Sequence, residues 1–166
     1  MTGSRIRLRY EAILVPAGAS VSWRRSSLSL RGRLTLGMLV PWFPDSERSR
    51  ANLVDAFAHE SHHAIGFLST GRPTGERSAY FAGVCAQLAS VGRIREEGLP
   101  GSPITTPAKT AWDKVAVRSS AAAWEVRQAM LSYFHEGQVE RDTPAGNALA
   151  ARCREEVALP FSSTGL

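Results

Sequence analysis

The sequence predicts an α+β domain: a small N-terminal antiparallel or mixed sheet over about residues 5–40, followed by helices. Three observations carry this. Apolar residues alternate with a period of two up to about residue 40; beyond Pro44 they recur at helical spacing; and Pro/Gly clusters punctuate the chain between the periodic stretches. At 166 residues the chain has room for one domain, and 43% hydrophobic with 21% charged residues supports a packed core.

The elements follow in order. Ile6, Leu8, Tyr10, Ala12 and Leu14 alternate with Arg5, Arg7, Arg9 and Glu11, and Pro16 to Ala19 break this first strand. Val21 to Arg25 reads as a short second strand. Leu28, Leu30, Leu34, Leu36 and Met38 then alternate with Ser29, Arg31, Arg33 and Thr35, with Gly32 marking a bulge or a turn. Pro41 to Pro44 end the sheet. Asp45 or Ser46 caps a helix over about 46–67, with Leu53, Val54, Phe57, Ala58 and Ile65 on its apolar face. Breakers at Gly71, Pro73 and Gly75 precede a helix from Glu76 to Val91 that buries Phe81, Val84 and Leu88. A Pro/Gly-rich loop spans 97–107. A long helix over about 109–136 stops at Gly137, and Thr143-Pro144 opens a last helix to about Ala158. The three C-terminal helices thus occupy about 76–158.

Charge is unevenly spread. Residues 1–50 hold nine Arg against three acids, whereas residues 51–166 hold eleven basic residues against twelve acids. The surplus therefore belongs to the polar face of the sheet region. Cys85 and Cys153 are too few and too far apart for a zinc-binding cysteine cluster, and read as two small buried side chains, with one disulfide as the alternative. No apolar run approaches the roughly 18 residues of a membrane span. Met1 to Tyr10 carries no signal-peptide-like segment, which predicts a cytosolic chain or a trimmed mature one.

The chemistry concentrates at His59-Glu60-Ser61-His62-His63, an H-E-x-x-H motif. Residues four apart share a helix face, so His59 and His63 can both reach one metal ion. Glu60 lies about a hundred degrees around the helix and flanks that ion without binding it. A zinc held by two histidines and a carboxylate keeps a position open for water and lowers its pKa to about 7. Glu60 is then the candidate catalytic base. Asp55, one turn before His59, reads first as a solvated helix residue and second as an acceptor that orients an imidazole.

Over roughly residues 28–91 this pattern resembles the zincin superfamily of zinc-dependent metallopeptidases. The resemblance implies a mixed sheet before the motif helix, with an edge strand that pairs with an extended peptide; by chain order the strand ending near Val40 takes that place. It also implies a third ligand. Gly66 matches the metzincin glycine, but Ser69 stands where that branch has its third histidine. The gluzincin branch uses a glutamate on the next helix, often in Glu-x-x-Ala, and Glu76-Arg77-Ser78-Ala79 supplies it, thirteen residues after His63. The expected site is therefore His59, His63 and Glu76 on Zn2+, with Glu60 catalytic. Glu76 has a plain alternative as a first-turn acid favoured by the helix dipole, and Glu96 and Glu97 compete as ligands. Tyr80 and His135 are candidate oxyanion stabilisers, each also readable as structural. Trp23, Trp42, Trp112 and Trp124 read as core or rim aromatics.

The expected function is hydrolysis of peptide or other amide bonds in a peptide or protein substrate. Two alternatives stand beside it. Arg5, Arg7, Arg9, Arg31 and Arg33 suggest a nucleic-acid-associated surface, although the aromatic interleaving of a base-stacking platform is missing. A catalytically inactive zincin-like module that binds a partner is the other.

Overall fold

The computed structural model describes the backbone of residues 6–13, 18–25, 32–41, 47–101 and 111–158, and the side chains of 47–101 (residue 49 excepted) and 121–158. Three strands, β1 (Ile6–Ile13), β2 (Gly18–Arg25) and β3 (Gly32–Pro41), form one sheet in the order β1-β3-β2. The alternating sets fall into step, with Ile6 opposite Leu34, Leu8 opposite Leu36 and Tyr10 opposite Met38. β3 runs parallel to β1 and antiparallel to β2, so the sheet is mixed.

This topology corrects one expectation. The strand ending near Val40 is not an edge strand, because β3 is paired on both sides. A parallel β1–β3 pair needs a crossover, and β2 makes it by lying antiparallel on the far side of β3. Among the described residues the sheet edges belong to β1 and β2, and β2 is the edge that packs against the following helix.

That helix is α1 (Glu47–Thr70), which packs on β2, β3 and the next helix, α2 (Glu76–Val91). A short hairpin follows in two pieces. β4 (Arg93–Arg95) pairs antiparallel with β5 (Gln138–Glu140) across a 3₁₀ turn at Glu96–Gly98 and the helix α3 (Ala111–Leu131). The last helix is α4 (Pro144–Glu156). Four helices and two small sheets make the class α+β.

α2 is the central element, packed by α1 on one side and by α3 and α4 on others. Its Phe81, Val84 and Leu88 are buried with Ile94 of β4, Leu99, Val126 and Met130 of α3, Val139 of β5 and Leu149 of α4. Each such side chain contributes about 1.5–3 kcal/mol by leaving water. α4 starts as its sequence dictates: the Thr143 hydroxyl accepts from the Gly146 N–H, and Pro144 takes the first turn.

Several boundaries and side chains depart from expectation. α1 runs one turn further, to Thr70, and its Phe57 and Ile65 are exposed at 43% and 44%. The face of α1 turned to α2 is a polar one, so these apolar residues lie on the opposite side. α3 ends at Leu131, and the chain then turns through Glu136 and Gly137, both at positive φ, to enter β5. The β4–β5 pair carries no sequence signal, because three residues are too few to show a period. Part of the expected 97–107 loop is thus a 3₁₀ turn, and residues 102–107 lie outside the described residues, as do the side chains of Trp23, Trp42 and Trp112. Trp124 is 38% exposed, a rim position. Cys85 and Cys153 are not independent buried side chains; they are half-buried and joined in a disulfide between α2 and α4.

Candidate metal centre

α1 and α2 meet along a seam that is polar from end to end. α2 contributes Glu76, Tyr80, Gly83 and Gln87, spaced at i, i+4, i+7 and i+11, which is one helix face. α1 answers with Asp55, His59, His63 and Gly66. The helices run antiparallel, so the partners pair in reverse order. Thr74 packs on Gly66, Glu76 lies between His63 and His59, the Tyr80 ring meets His59, and Asp55 fills the space over Gly83.

Two glycines make this approach possible. A Cβ on Gly66 would stand 2.3 Å from Thr74 Cγ2, and one on Gly83 would stand 2.3 Å from Asp55 Oδ1. Gly66, which sits at the metzincin glycine position, is therefore explained by the closeness of the 71–75 turn. Ser69 is exposed and donates to the Ile65 carbonyl at 2.8 Å, so it stands apart from the site.

His59 Nε2 lies 3.4 Å from Glu76 Oε2, and His63 Nε2 lies 3.6 Å from Glu76 Oε1. The two imidazoles meet edge to face with centroids 4.9 Å apart. One donor atom from each of His59, His63 and Glu76 lies within 4.8 Å of the others, and this is the group of three such residues found among the described residues. The sequence-predicted ligand set is brought together.

The hydrogen bonding of His63 sharpens the point. Its Nδ1 stands 2.9 Å from the Thr74 carbonyl oxygen, an atom that only accepts, so Nδ1 carries a proton. In the neutral ring Nε2 then presents a lone pair to a carboxylate, which also only accepts. Something positive must lie between them, either a second ring proton or a metal ion. A charge-assisted N–H···O bond closes to about 2.7–2.9 Å, whereas two ligands of a tetrahedral zinc lie about 3.4 Å apart. The observed 3.4 and 3.6 Å run to the two different oxygens of Glu76, and with one donor atom per residue the three lie within 4.8 Å of one another.

Electrostatics are consistent with a cation-binding carboxylate. Glu76 is held down to about 2, first by its hydrogen bonds to His59 and His63, against the opposing effect of burial. It begins α2, whose N-cap Gly75 offers no side chain to the free N–H groups, so the helix dipole adds to this. Burial lowers the His63 pKa, but the hydrogen bond and charge of Glu76, the charge of Glu60 and the Thr74 carbonyl outweigh it and raise the group. His62 is buried, and that burial, with the charges of His63 and His59, lowers its pKa; it is not part of the donor set. Tyr80 is raised, chiefly by burial and then by Glu76, Asp55 and Glu60, so it stays a neutral phenol, with its ring centroid 4.5 Å from that of His59.

Glu60 is half-buried, and its charge acts on both His63 and Tyr80, so it flanks the cluster without joining the donor set. Glu96 is bonded to Arg127 at 2.9 Å, and Glu97 lines a separate pocket with Gln87, Arg93 and Arg95; neither belongs to the donor set. His135 is exposed in the turn before β5 and is likewise outside it. Asp55 is not a solvated helix residue: burial pushes it up to about 6, with the Gln87 amide and His59 acting against that rise. The side chains of Arg5, Arg7, Arg9, Arg31 and Arg33 lie outside the described residues.

Sequence reasoning missed the rest of the seam. Thr74 escaped because its contribution is a carbonyl, which any residue carries. Gln87 had a signal, since Glu76, Tyr80, Gly83 and Gln87 form a non-aliphatic stripe on an otherwise apolar helix. Comparisons with protein-family models, with curated proteins and with solved structures find no match.

Proposed function

We propose that this chain is a zinc-dependent metallopeptidase of the zincin type, minimal and gluzincin-like. The observation that carries this is the pair of Nε2 atoms facing one carboxylate, with one donor atom from each residue within 4.8 Å of the others. His59, His63 and Glu76 would hold the ion. When bound, zinc supplies a Lewis acid for the scissile carbonyl and an acidified water.

The chain's own residues do the remainder. Glu60, beside the donor set, takes a proton from water and delivers it to the leaving nitrogen. Tyr80 is a neutral phenol against His59, and its O–H would donate to an oxyanion. The Glu76 side chain is 39% exposed, against 12% and 10% for the histidines, so the cluster opens to solvent on the glutamate side, where substrate enters. Zincin resemblance implies that an extended peptide adds to the sheet edge, and the free edge packed on α1 is that of β2 rather than β3.

The test is Glu60→Gln. Assayed on a quenched-fluorescent peptide library, the wild type cleaves. The variant retains stoichiometric zinc and loses about 10²–10⁴-fold in rate. Full activity in the variant removes the peptidase reading. An inactive wild type that binds zinc leaves a metal-stabilised binding module instead.

A further inference from the structure

His63 and His59 are supported unequally. His63 has a carbonyl on Nδ1, that of Thr74 at 2.9 Å, which fixes the ring with Nε2 toward Glu76. His59 also turns Nε2 toward Glu76, yet its Nδ1 makes no hydrogen bond among the described residues. A metal-binding imidazole ordinarily donates its other N–H to a carboxylate or carbonyl, which fixes tautomer and orientation.

A matching acceptor lies one turn away. Asp55 is four residues before His59, on the same helix face, and side chains on a helix lean toward its N-terminus, so the His59 ring leans toward Asp55. The Asp55 carboxyl is wedged between α1 and α2, over Gly83, where a Cβ would stand 2.3 Å from Oδ1. Oδ1 accepts from Gln87 Nε2 at 3.2 Å, and Gln87, itself 1% exposed, also donates to the Gly98 carbonyl at 3.3 Å. No hydrogen bond to Oδ2 is found among the described residues, and the atom is not sealed from solvent, since no fully buried side-chain oxygen there lacks a partner. The Asp55 carboxyl, held by a glycine notch and a buried amide, thus sits one turn from His59; no ion pair or hydrogen bond joins the two in this structure, and a turn of the His59 ring is needed to bring Nδ1 to Oδ2.

We infer that Asp55 is the positioning residue of the metal centre, its free oxygen taking the His59 Nδ1–H as Thr74 takes that of His63. This rests on the metal-site reading above. Asp55 touches neither metal nor substrate; it acts through His59. Gln87 and Gly83 form its seat.

The experiment is zinc affinity by competition with a chromogenic chelator at pH 7.5, for wild type, Asp55→Asn and Asp55→Leu. Both variants are near the shape of aspartate and keep the notch filled. They are expected to bind zinc about 10–100-fold more weakly, while the metal-free melting temperature is unchanged or higher. A purely structural Asp55 would show the reverse, a lower melting temperature at unchanged affinity, and would overturn the inference. Nitrogen-15 NMR of zinc-loaded wild type needs no variant. It is expected to show His59 as the Nδ1–H form with a slowly exchanging proton, as for His63; a freely exchanging His59 proton contradicts the proposal. If wild type binds no zinc, the metal-site reading and this inference fall together; if it binds and the variants match it, this inference alone falls.

Discussion

The proposed centre depends on a few atoms at the α1–α2 seam, and its glycines show how tight that seam is. Gly83 admits the Asp55 carboxyl, and a methyl there would also stand 3.0 Å from the Asp55 carbonyl, which is backbone and cannot step aside. Gly83→Ala therefore forces the helices apart and lowers stability by about 1–3 kcal/mol, measured by denaturant unfolding. An unchanged midpoint would mean that the seam is looser than its distances state. His59, Glu60 and His63 were legible because the motif compresses the chemistry into one helical turn. Glu76 needed the resemblance, since one acid at a helix start has an ordinary explanation in the dipole. The first reading of Asp55, a solvated helix residue, failed because its sequence position says nothing of a glycine on another helix.

Between elements, two links tie the outer pieces to the seam. α4 is joined to α2 by Cys85–Cys153, and near the start of α2 by the fork of Arg77 on Glu156, whose Nη2–Oε1 arm is 2.8 Å. Arg77 adjoins Glu76, so α4 braces the turn that presents the proposed third ligand. The cysteines are 68 residues apart, and their bond restricts the unfolded chain over that span. Reduction, or Cys153→Ser, lowers stability by about 2–5 kcal/mol, read as a drop in thermal midpoint. An equal midpoint in dithiothreitol would mean the bond is absent in solution. The other link is Glu47 at the start of α1, paired with Arg93 and Arg95 of β4. The Arg93 hydrogen bond holds Glu47 down to about 2, below its ordinary 4.5. A depressed acid contributes stability above its ordinary range and loses it as pH falls toward about 2. Glu47→Gln therefore narrows the gap to wild type as pH drops from 5 to 2, and salt shrinks the effect because the pair is exposed. A constant gap across that range would contradict the pairing.

For the whole molecule, period and punctuation revealed the order of events. The 3.6-residue pattern gave α2 its full extent, Glu76–Val91, and Thr143-Pro144 gave the start of α4. Pairing partners were not legible, because strand order depends on non-local contacts: β3 reads the same at an edge or in the centre, and β4 and β5 are 42 residues apart. The same holds for the disulfide, whose partners become neighbours only after α4 docks. What emerges is an α+β unit with its apolar core on one side of α2 and the polar His59, His63 and Glu76 cluster on the other. The basic surplus lies in the sheet region, and no helix among the described residues is long and apolar enough to cross a membrane. On the proposed reading a cation spans the polar seam between His59, His63 and Glu76. Metal content of protein purified without chelators tests this most directly, by native mass spectrometry with elemental analysis. The expected result is one zinc per chain, absent from His63→Ala and Glu76→Ala, with a chelator lowering the wild-type melting temperature. A wild type that neither carries nor takes up stoichiometric zinc, and melts identically with and without it, would contradict the account.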